Sequence, residues 1–119
     1  MDGKLNIMYV PVRDLKSALK FYRDQLGLEE SWREGESTVA FKLSGTEIEL
    51  MVDLIEEGMP DTAGPMFLVP SVDEFYAANR GTMEFARKPT AIPPGLWATA
   101  KDPSGNCIYL FDLSKTPQS

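Results

Sequence analysis

The chain has 119 residues, of which 43% are hydrophobic and 25% charged, as expected for one soluble globular domain. Its formal net charge of −6 argues against nucleic acid and anionic membranes as partners, because an acidic surface repels both. The absence of histidine excludes a Ser-His-Asp triad, a Cys-His pair and any His-ligated metal site.

The single cysteine, Cys107, cannot form an intramolecular disulfide. No apolar stretch follows Met1–Lys4 as a secretion signal requires, and no apolar run approaches the length of about 18 residues that spans a membrane. These features favour a cytoplasmic location. Acid–base chemistry would have to come from Glu, Asp, Tyr, Lys or Cys.

The first half of the chain predicts the order β-α-β-β-β. Residues 5–12 alternate as in a strand, and Pro11 indicates that this strand ends there or lies at a sheet edge. Apolar residues at helical spacing predict a helix over 14–26, capped by Asp14 and stopped by Gly27. Three short strands follow, over 28–33, 37–43 and 46–53.

The second half predicts the same order after a polar linker over 54–63. Ser71 and Glu74 have the spacing of a capping box, which predicts a short helix ending near Asn79. Three prolines predict a loop over 88–95. The predicted strands cover 65–69, 82–87, 96–101 and 106–113, and a frayed tail covers 114–119.

An internal duplication organises the chain. Ser44–Met51 and Ser104–Phe111 both read Ser-Gly-x-x-Ile-x-Leu-x, with an offset of 60 positions. A repeat of this kind indicates two copies of one supersecondary unit. We therefore expect a single domain, 1–119, built from one module over about 4–53 and another over about 64–113.

Side chains alternate across the duplicated strand. The face with Ile48, Leu50, Ile108 and Leu110 is predicted to pack on the helices. The opposite face is mixed and carries Glu47, Glu49, Met51, Cys107, Tyr109 and Phe111. Such a face is typical either of a ligand site or of a half-solvated sheet.

Two motifs carry a family likeness. The string Val12-x-Asp14-Leu15, continued by Phe21-Tyr22 and Leu26-Gly27, resembles the opening helix of the glyoxalase / bleomycin resistance / extradiol dioxygenase superfamily, the vicinal oxygen chelate proteins. The turn Asp102–Asn106, followed by Ile108-x-Leu110, is similar to that family's closing turn and strand. The resemblance implies an α+β fold of two tandem β-α-β-β-β modules, whose curled mixed sheet encloses a cup. It also implies a homodimer.

Metal-dependent members of that family place one ligand in the first and last strand of each module. By motif spacing, these positions fall on Ile7, Glu49, the neighbourhood of Gly64, and Tyr109. Only Glu49 is an ordinary ligand for a divalent metal, so four-ligand zinc, nickel or iron chemistry is not expected. The resemblance therefore implies the metal-free branch, with no cofactor.

Several residues are candidates for the ligand site. Glu49 could anchor a cationic ligand or act as a general base; it could equally be paired with a lysine or arginine, or be solvated. Trp32 and Trp97 could stack on a planar ligand, or serve sheet packing or a dimer interface. Tyr109 could donate a hydrogen bond or be a core tyrosine. The remaining predicted lining residues are Ile7, Tyr9, Met51, Met66 and Phe111, and Cys107 is interpreted as an inert buried thiol.

The leading hypothesis is a metal-independent binding protein of the bleomycin-resistance type, with an aromatic or cationic, antibiotic-like small molecule as ligand. The alternative is a metal-free, glyoxalase-like lyase or isomerase with Glu49 as general base. A third possibility is an interaction module that binds no small molecule.

Overall fold

The computed structural model describes residues 1–59 and 61–115 and confirms the α+β class with a repeated β-α-β-β-β order. The predicted tail falls outside the described residues from position 116 onward. The chain divides into two compact units. The first unit is Asn6–Ala63, and the second unit combines Met1–Leu5 with the chain from Gly64 onward.

The first unit contains strands with the order β2-β3-β4-β1. Strand β4 pairs parallel with β1 and antiparallel with β3. The strands are β1 (Lys4–Val12), β2 (Glu30–Glu34), β3 (Thr38–Lys42) and β4 (Glu49–Leu54). Strand β1 ends one residue after Pro11, as the sequence predicts.

The helix of the first unit starts where the sequence places it. The Asp14 carboxylate accepts the N–H groups of Lys16 and Ser17, at 3.1 and 3.4 Å, and so caps helix α1 (Leu15–Leu19). The chain continues as a π-helical segment (Lys20–Gln25), in which the Leu26 N–H bonds to the Phe21 carbonyl at 2.8 Å. The predicted stop is confirmed at Gly27, whose φ is 75°.

Strand β4 starts three residues later than predicted. The Thr46 hydroxyl donates to the Leu43 carbonyl at 3.0 Å and accepts the Ile48 N–H at 3.1 Å. These local bonds hold residues 43–48 as a turn and keep Ile48 out of the ladder. Leu50 and Val52 do pack on the helix, in a core that also includes Ala18, Val39 and Phe41.

The second unit repeats the arrangement with the order β5-β8-β7-β6. Strand β8 pairs parallel with β5 and antiparallel with β7, as β4 does with its neighbours. This matching topology is what the sequence duplication predicts. The elements are β5 (Gly64–Leu68), α2 (Val72–Asn79), β6 (Glu84–Ile92), β7 (Gly95–Lys101) and β8 (Cys107–Phe111).

The predicted loop over 88–95 is wrong. Strand β6 continues through Pro89 to Ile92, and only Pro93 and Pro94 form the turn into β7. The β6–β7 register shifts between Arg87 and Thr90, so Pro89 lies at an irregularity where the ladder needs no N–H from it.

Two side chains fix the start of α2. Ser71 caps it by accepting the Glu74 N–H at 3.1 Å, as predicted. Asp112, which is 1% exposed, accepts the backbone N–H groups of Val72 and Leu96 at 2.8 and 2.9 Å. Its carboxylate thus joins the helix to β7. The core beneath consists of Val69, Val72, Ala98 and Leu110, which confirms the predicted helix-facing role of Leu110.

None of the helices in the described part of the chain is long and apolar enough to span a membrane.

Candidate functional site

The sheet register places five of the candidate residues on one face of the first unit. Ile7 lies opposite Glu49, and Tyr9 lies opposite Met51. Met51 also lies opposite Ala40, which is paired in turn with Trp32. Directly opposite residues project to the same side of a sheet. The shared face therefore contains Ile7, Tyr9, Trp32, Glu49 and Met51.

Glu49 is held by two neutral donors. The Ser31 hydroxyl donates to one carboxylate oxygen, and the Trp32 indole Nε1–H donates to the other at 2.9 Å. Neighbouring residues of a regular strand point to opposite faces, yet both of these side chains reach Glu49. The register shift between Glu30 and Trp32 explains this, because a bulge turns consecutive side chains to one side.

The charge of Glu49 has no cationic partner among residues 1–59 and 61–115. Lys42 lies opposite it in the β3–β4 ladder, but the Lys42 ammonium pairs with Glu29 at 3.6 Å instead. Within the described residues, Glu49 therefore does not form the ion pair with a lysine or arginine that was one of its possible roles. Glu49 is half-buried, so the residue is not closed off from solvent.

The other members of this face are mostly enclosed. Ile7 is 7% exposed, Tyr9 3% and Met51 8%. The Tyr9 hydroxyl donates to Asp53 at 2.7 Å, and the Thr38 hydroxyl donates to the same carboxylate at 2.7 Å. Tyr9 therefore has little surface to offer a ligand, whereas the half-buried Trp32 and Glu49 have more.

The second unit brings the other four candidates onto one face of its own strands. Met66 pairs with Tyr109, and Trp97 pairs with Phe111. The Trp97 and Tyr109 rings meet edge to face, with centroids 5.4 Å apart, and the Trp97 indole N–H donates to Thr99 at 3.0 Å. Trp97 is half-buried, while Met66, Tyr109 and Phe111 are buried.

The candidates thus form two groups, one in each unit. A cup lined by both groups stays a prediction of the family resemblance. Cys107 is 1% exposed, in agreement with its interpretation as a buried thiol.

Ser31 and Asp53 were not among the candidates. No sequence signal identifies Ser31, because its role depends on the bulge in β2. Asp53 lies four residues after Glu49 in the same strand, so the alternation of side chains would have placed it on the face of Glu49.

The four positions that hold metal in metal-dependent relatives do not fit a metal in this chain. Ile7 offers no donor atom. Met66 pairs with Tyr109 as Ile7 pairs with Glu49, so the register makes Met66, two residues after Gly64, the counterpart of Ile7. Neither Gly64 nor Met66 offers a nitrogen or oxygen donor in its side chain. Among the described residues, no three His, Cys, Asp or Glu side chains are grouped so as to hold an ion. Glu49 alone supplies the chemistry that a divalent metal prefers.

The model of the Glyoxalase/Bleomycin resistance protein/Dioxygenase superfamily matches residues 4–110. The chain belongs to this superfamily. The match confirms the resemblance of the helix and turn motifs. It assigns the chain to a superfamily that includes binding proteins as well as enzymes such as methylmalonyl-CoA epimerase. No curated protein matches the sequence.

Solved structures agree with the superfamily fold. A Legionella pneumophila protein described as an NAD-dependent benzaldehyde dehydrogenase is 21% identical, with a TM-score of 0.72, and the match covers 91% of this chain and 98% of that one. A superfamily member from Vibrio splendidus 12B01 is 16% identical, with a TM-score of 0.59 and coverage of 92% and 98%. Methylmalonyl-CoA epimerase from Mycobacterium tuberculosis is 19% identical, with a TM-score of 0.59 and coverage of 91% and 86%. At these identities the likeness concerns the fold alone.

Proposed function

We propose that the protein is a metal-independent small-molecule binding protein of the bleomycin-resistance type, which holds an aromatic or cationic ligand at Glu49. The observation that carries this proposal is the half-buried Glu49 carboxylate, which is tethered by Ser31 and Trp32 but faces no cation among the described residues. A ligand cation would supply the missing opposite charge. The Trp32 ring beside it would add stacking and cation–π attraction.

The donor set supports the metal-independent part of the proposal. Ile7 and its register counterpart Met66 carry no nitrogen or oxygen donor, and within the described residues no group of three His, Cys, Asp or Glu side chains could hold an ion. The net charge of −6 favours a cationic ligand over an anionic one by long-range attraction. We further propose that the protein acts in the cytoplasm as a homodimer.

Ethidium, a planar aromatic cation, is a suitable first probe. We expect it to bind and to quench tryptophan fluorescence, and we expect the anion fluorescein to bind much more weakly. Glu49→Gln keeps the shape of the side chain but removes its charge, so it should weaken ethidium binding roughly tenfold. Glu36→Gln, in an exposed turn, is the matched control and should leave the affinity unchanged. Equal affinities for wild type and Glu49→Gln would refute the anchoring role of Glu49.

The alternative is an enzyme, a metal-free lyase or isomerase, in which Glu49 acts as general base. One observation favours it: a carboxylate has about four acceptor positions, and Ser31 and Trp32 use two of them, so Glu49 retains lone pairs for a proton. Methylmalonyl-CoA in D₂O tests this directly, because abstraction of its α-proton would exchange it for deuterium, as followed by ¹H NMR. Exchange by the wild type that is lost in Glu49→Gln would favour the enzyme, and no exchange in either would favour the binder.

A further inference from the structure

The Lys42 side chain lies between two carboxylates on one face of the first unit. Lys42 and Glu49 are directly opposite each other in the β3–β4 ladder, so their side chains project to the same side of the sheet. On the other flank of β3, the Lys42 backbone N–H donates to the Glu29 carbonyl at 2.9 Å, and the Lys42 ammonium meets the Glu29 carboxylate at 3.6 Å. Lys42 therefore has two neighbouring acids as possible partners, and in this structure it pairs with Glu29.

The pairing with Glu29 follows from the exposure of the side chains. Lys42 and Glu29 are 59% and 74% exposed, so both charges keep most of their hydration when they pair. Glu49 is half-buried and already accepts bonds from Ser31 and Trp32, so an ammonium group that joined it would lose part of its water. Glu29 thus offers Lys42 a partner that requires little desolvation.

Glu49 nevertheless has room for a further partner. A carboxylate has about four acceptor positions, and Ser31 and Trp32 use two of them. An ammonium group at one of the others would neutralise the charge that attracts the proposed ligand. Because Lys42 is directly beside Glu49 in the ladder, the position of its ammonium group decides whether this carboxylate stays open to a ligand cation.

We propose that Glu29 is a positioning residue, which holds the Lys42 ammonium away from Glu49 and keeps that carboxylate open to a cationic ligand. This role rests on the ligand site proposed at Glu49 and adds a determinant of its affinity. A ligand has to compete with a cation that the protein itself carries, and Glu29 weakens this competitor. Since an exposed ion pair is weak, the expected effect on ligand affinity is modest, about two- to threefold.

Tryptophan indole signals test the position of Lys42 without any ligand. The chain contains two tryptophans: the Trp32 indole N–H donates to Glu49, whereas Trp97 lies in the second unit. In ¹H–¹⁵N spectra, Glu29→Gln should shift the Trp32 signal, because Lys42 then moves to Glu49, and should leave the Trp97 signal unchanged. Adding Lys42→Gln should return the Trp32 signal most of the way to its wild-type position. An unchanged Trp32 signal in Glu29→Gln would overturn the inference.

Glu30→Gln is the matched control. It removes the same charge from the neighbouring residue, but the cation that it releases is Arg33, which pairs with Glu30 at 2.8 Å. Arg33 lies opposite Val39, a residue of the helix-facing core, and so projects to the opposite face from the ligand site. Glu30→Gln should therefore leave the Trp32 signal unchanged. A shift as large as that in Glu29→Gln would identify loss of charge alone as the cause and would contradict the positioning role.

Ethidium titrations measure the consequence for binding. Glu29→Gln should weaken ethidium binding about two- to threefold, and the double variant Glu29→Gln/Lys42→Gln, which has the net charge of the wild type, should restore it. Wild-type affinity in Glu29→Gln would refute the effect of Glu29 on the ligand. If the Trp32 signal shifts as expected but the wild type binds no ethidium, the position of Lys42 is supported and the ligand proposed at Glu49 is refuted.

Discussion

The Glu49 carboxylate shows how far a single residue can be interpreted from sequence. Alternation along the duplicated strand was enough to place it on the face with Met51 and opposite the helix-packing side. Its partners could not be predicted, because Ser31 and Trp32 reach it together only through the bulge in β2. A register shift of this kind arises from tertiary pairing and leaves no local pattern of residues.

Asp112 is the residue with the clearest consequence for stability. Burial raises its pKa, but the bonds from Val72, Ser114 and Leu96 outweigh that effect and hold the pKa below its usual range. Because the folded pKa is lower than the unfolded value of about 3.9, Asp112 stabilises the fold fully above that value. This contribution is lost as the pH falls through the folded pKa.

Asp112→Asn should therefore destabilise the protein by about 2 kcal/mol at pH 7, since the amide cannot accept all of these bonds. Urea unfolding at several pH values measures the difference between variant and wild type. We expect the difference to shrink as the pH falls below about 4. Asp73→Asn, at an exposed position in the first turn of α2, is the control and should show a small difference. A difference for Asp112→Asn that is constant with pH would contradict this account.

At the scale of elements, the sequence predicted every strand and helix of the repeated order but misplaced some boundaries. Asp14 and Ser71 cap their helices, and Gly27 ends the first helix with a positive φ, as predicted. These features are predictable because helix capping and left-handed backbone geometry depend only on neighbouring residues. The three prolines, one within β6 and two in the turn after it, misled the prediction. Pro89 is tolerated inside the strand because a ladder irregularity surrounds it, and that irregularity is set by pairing with β7.

The duplicated Ser-Gly turns permit a matched test. Gly45 and Gly105 have φ values of 82° and 88°, a region that disfavours residues with a Cβ, although a Cβ at either position would meet no atom within 4 Å. Gly45→Ala and Gly105→Ala should each lower the unfolding free energy by about 1 kcal/mol, as measured in urea. Gly81→Ala, at a position without a positive φ and equally open, should be neutral or slightly stabilising. If Gly81→Ala lowered the unfolding free energy as much as the other two substitutions, backbone conformation would not be the cause of the effect.

At the scale of the whole chain, the duplication and the two motifs led to the right superfamily, and the two units share one topology as the duplication predicts. The same observations do not identify the ligand. A family pattern records which strands carry the site, but the side chains on those strands set its chemistry. Ile7 and its register counterpart Met66 supply no nitrogen or oxygen ligand for a metal, yet they do not by themselves specify what the proposed site at Glu49 would bind.

Native mass spectrometry of the purified protein tests the assembly and the metal at once. We expect a dimer without a stoichiometric metal adduct, and an organic adduct would identify the ligand class directly. A monomer at micromolar concentration would refute the homodimer proposal. A stoichiometric metal would contradict the assignment of the donor set and return the glyoxalase or dioxygenase chemistry to consideration.

Gly64 also has an evolutionary consequence. A side chain at this position would collide with the Cys107 carbonyl, so every other residue requires the backbone to shift. The backbone of β5 would have to move away from β8, which would disturb the parallel pairing of the unit. We therefore expect this position to stay glycine while the side chains around Glu49 vary.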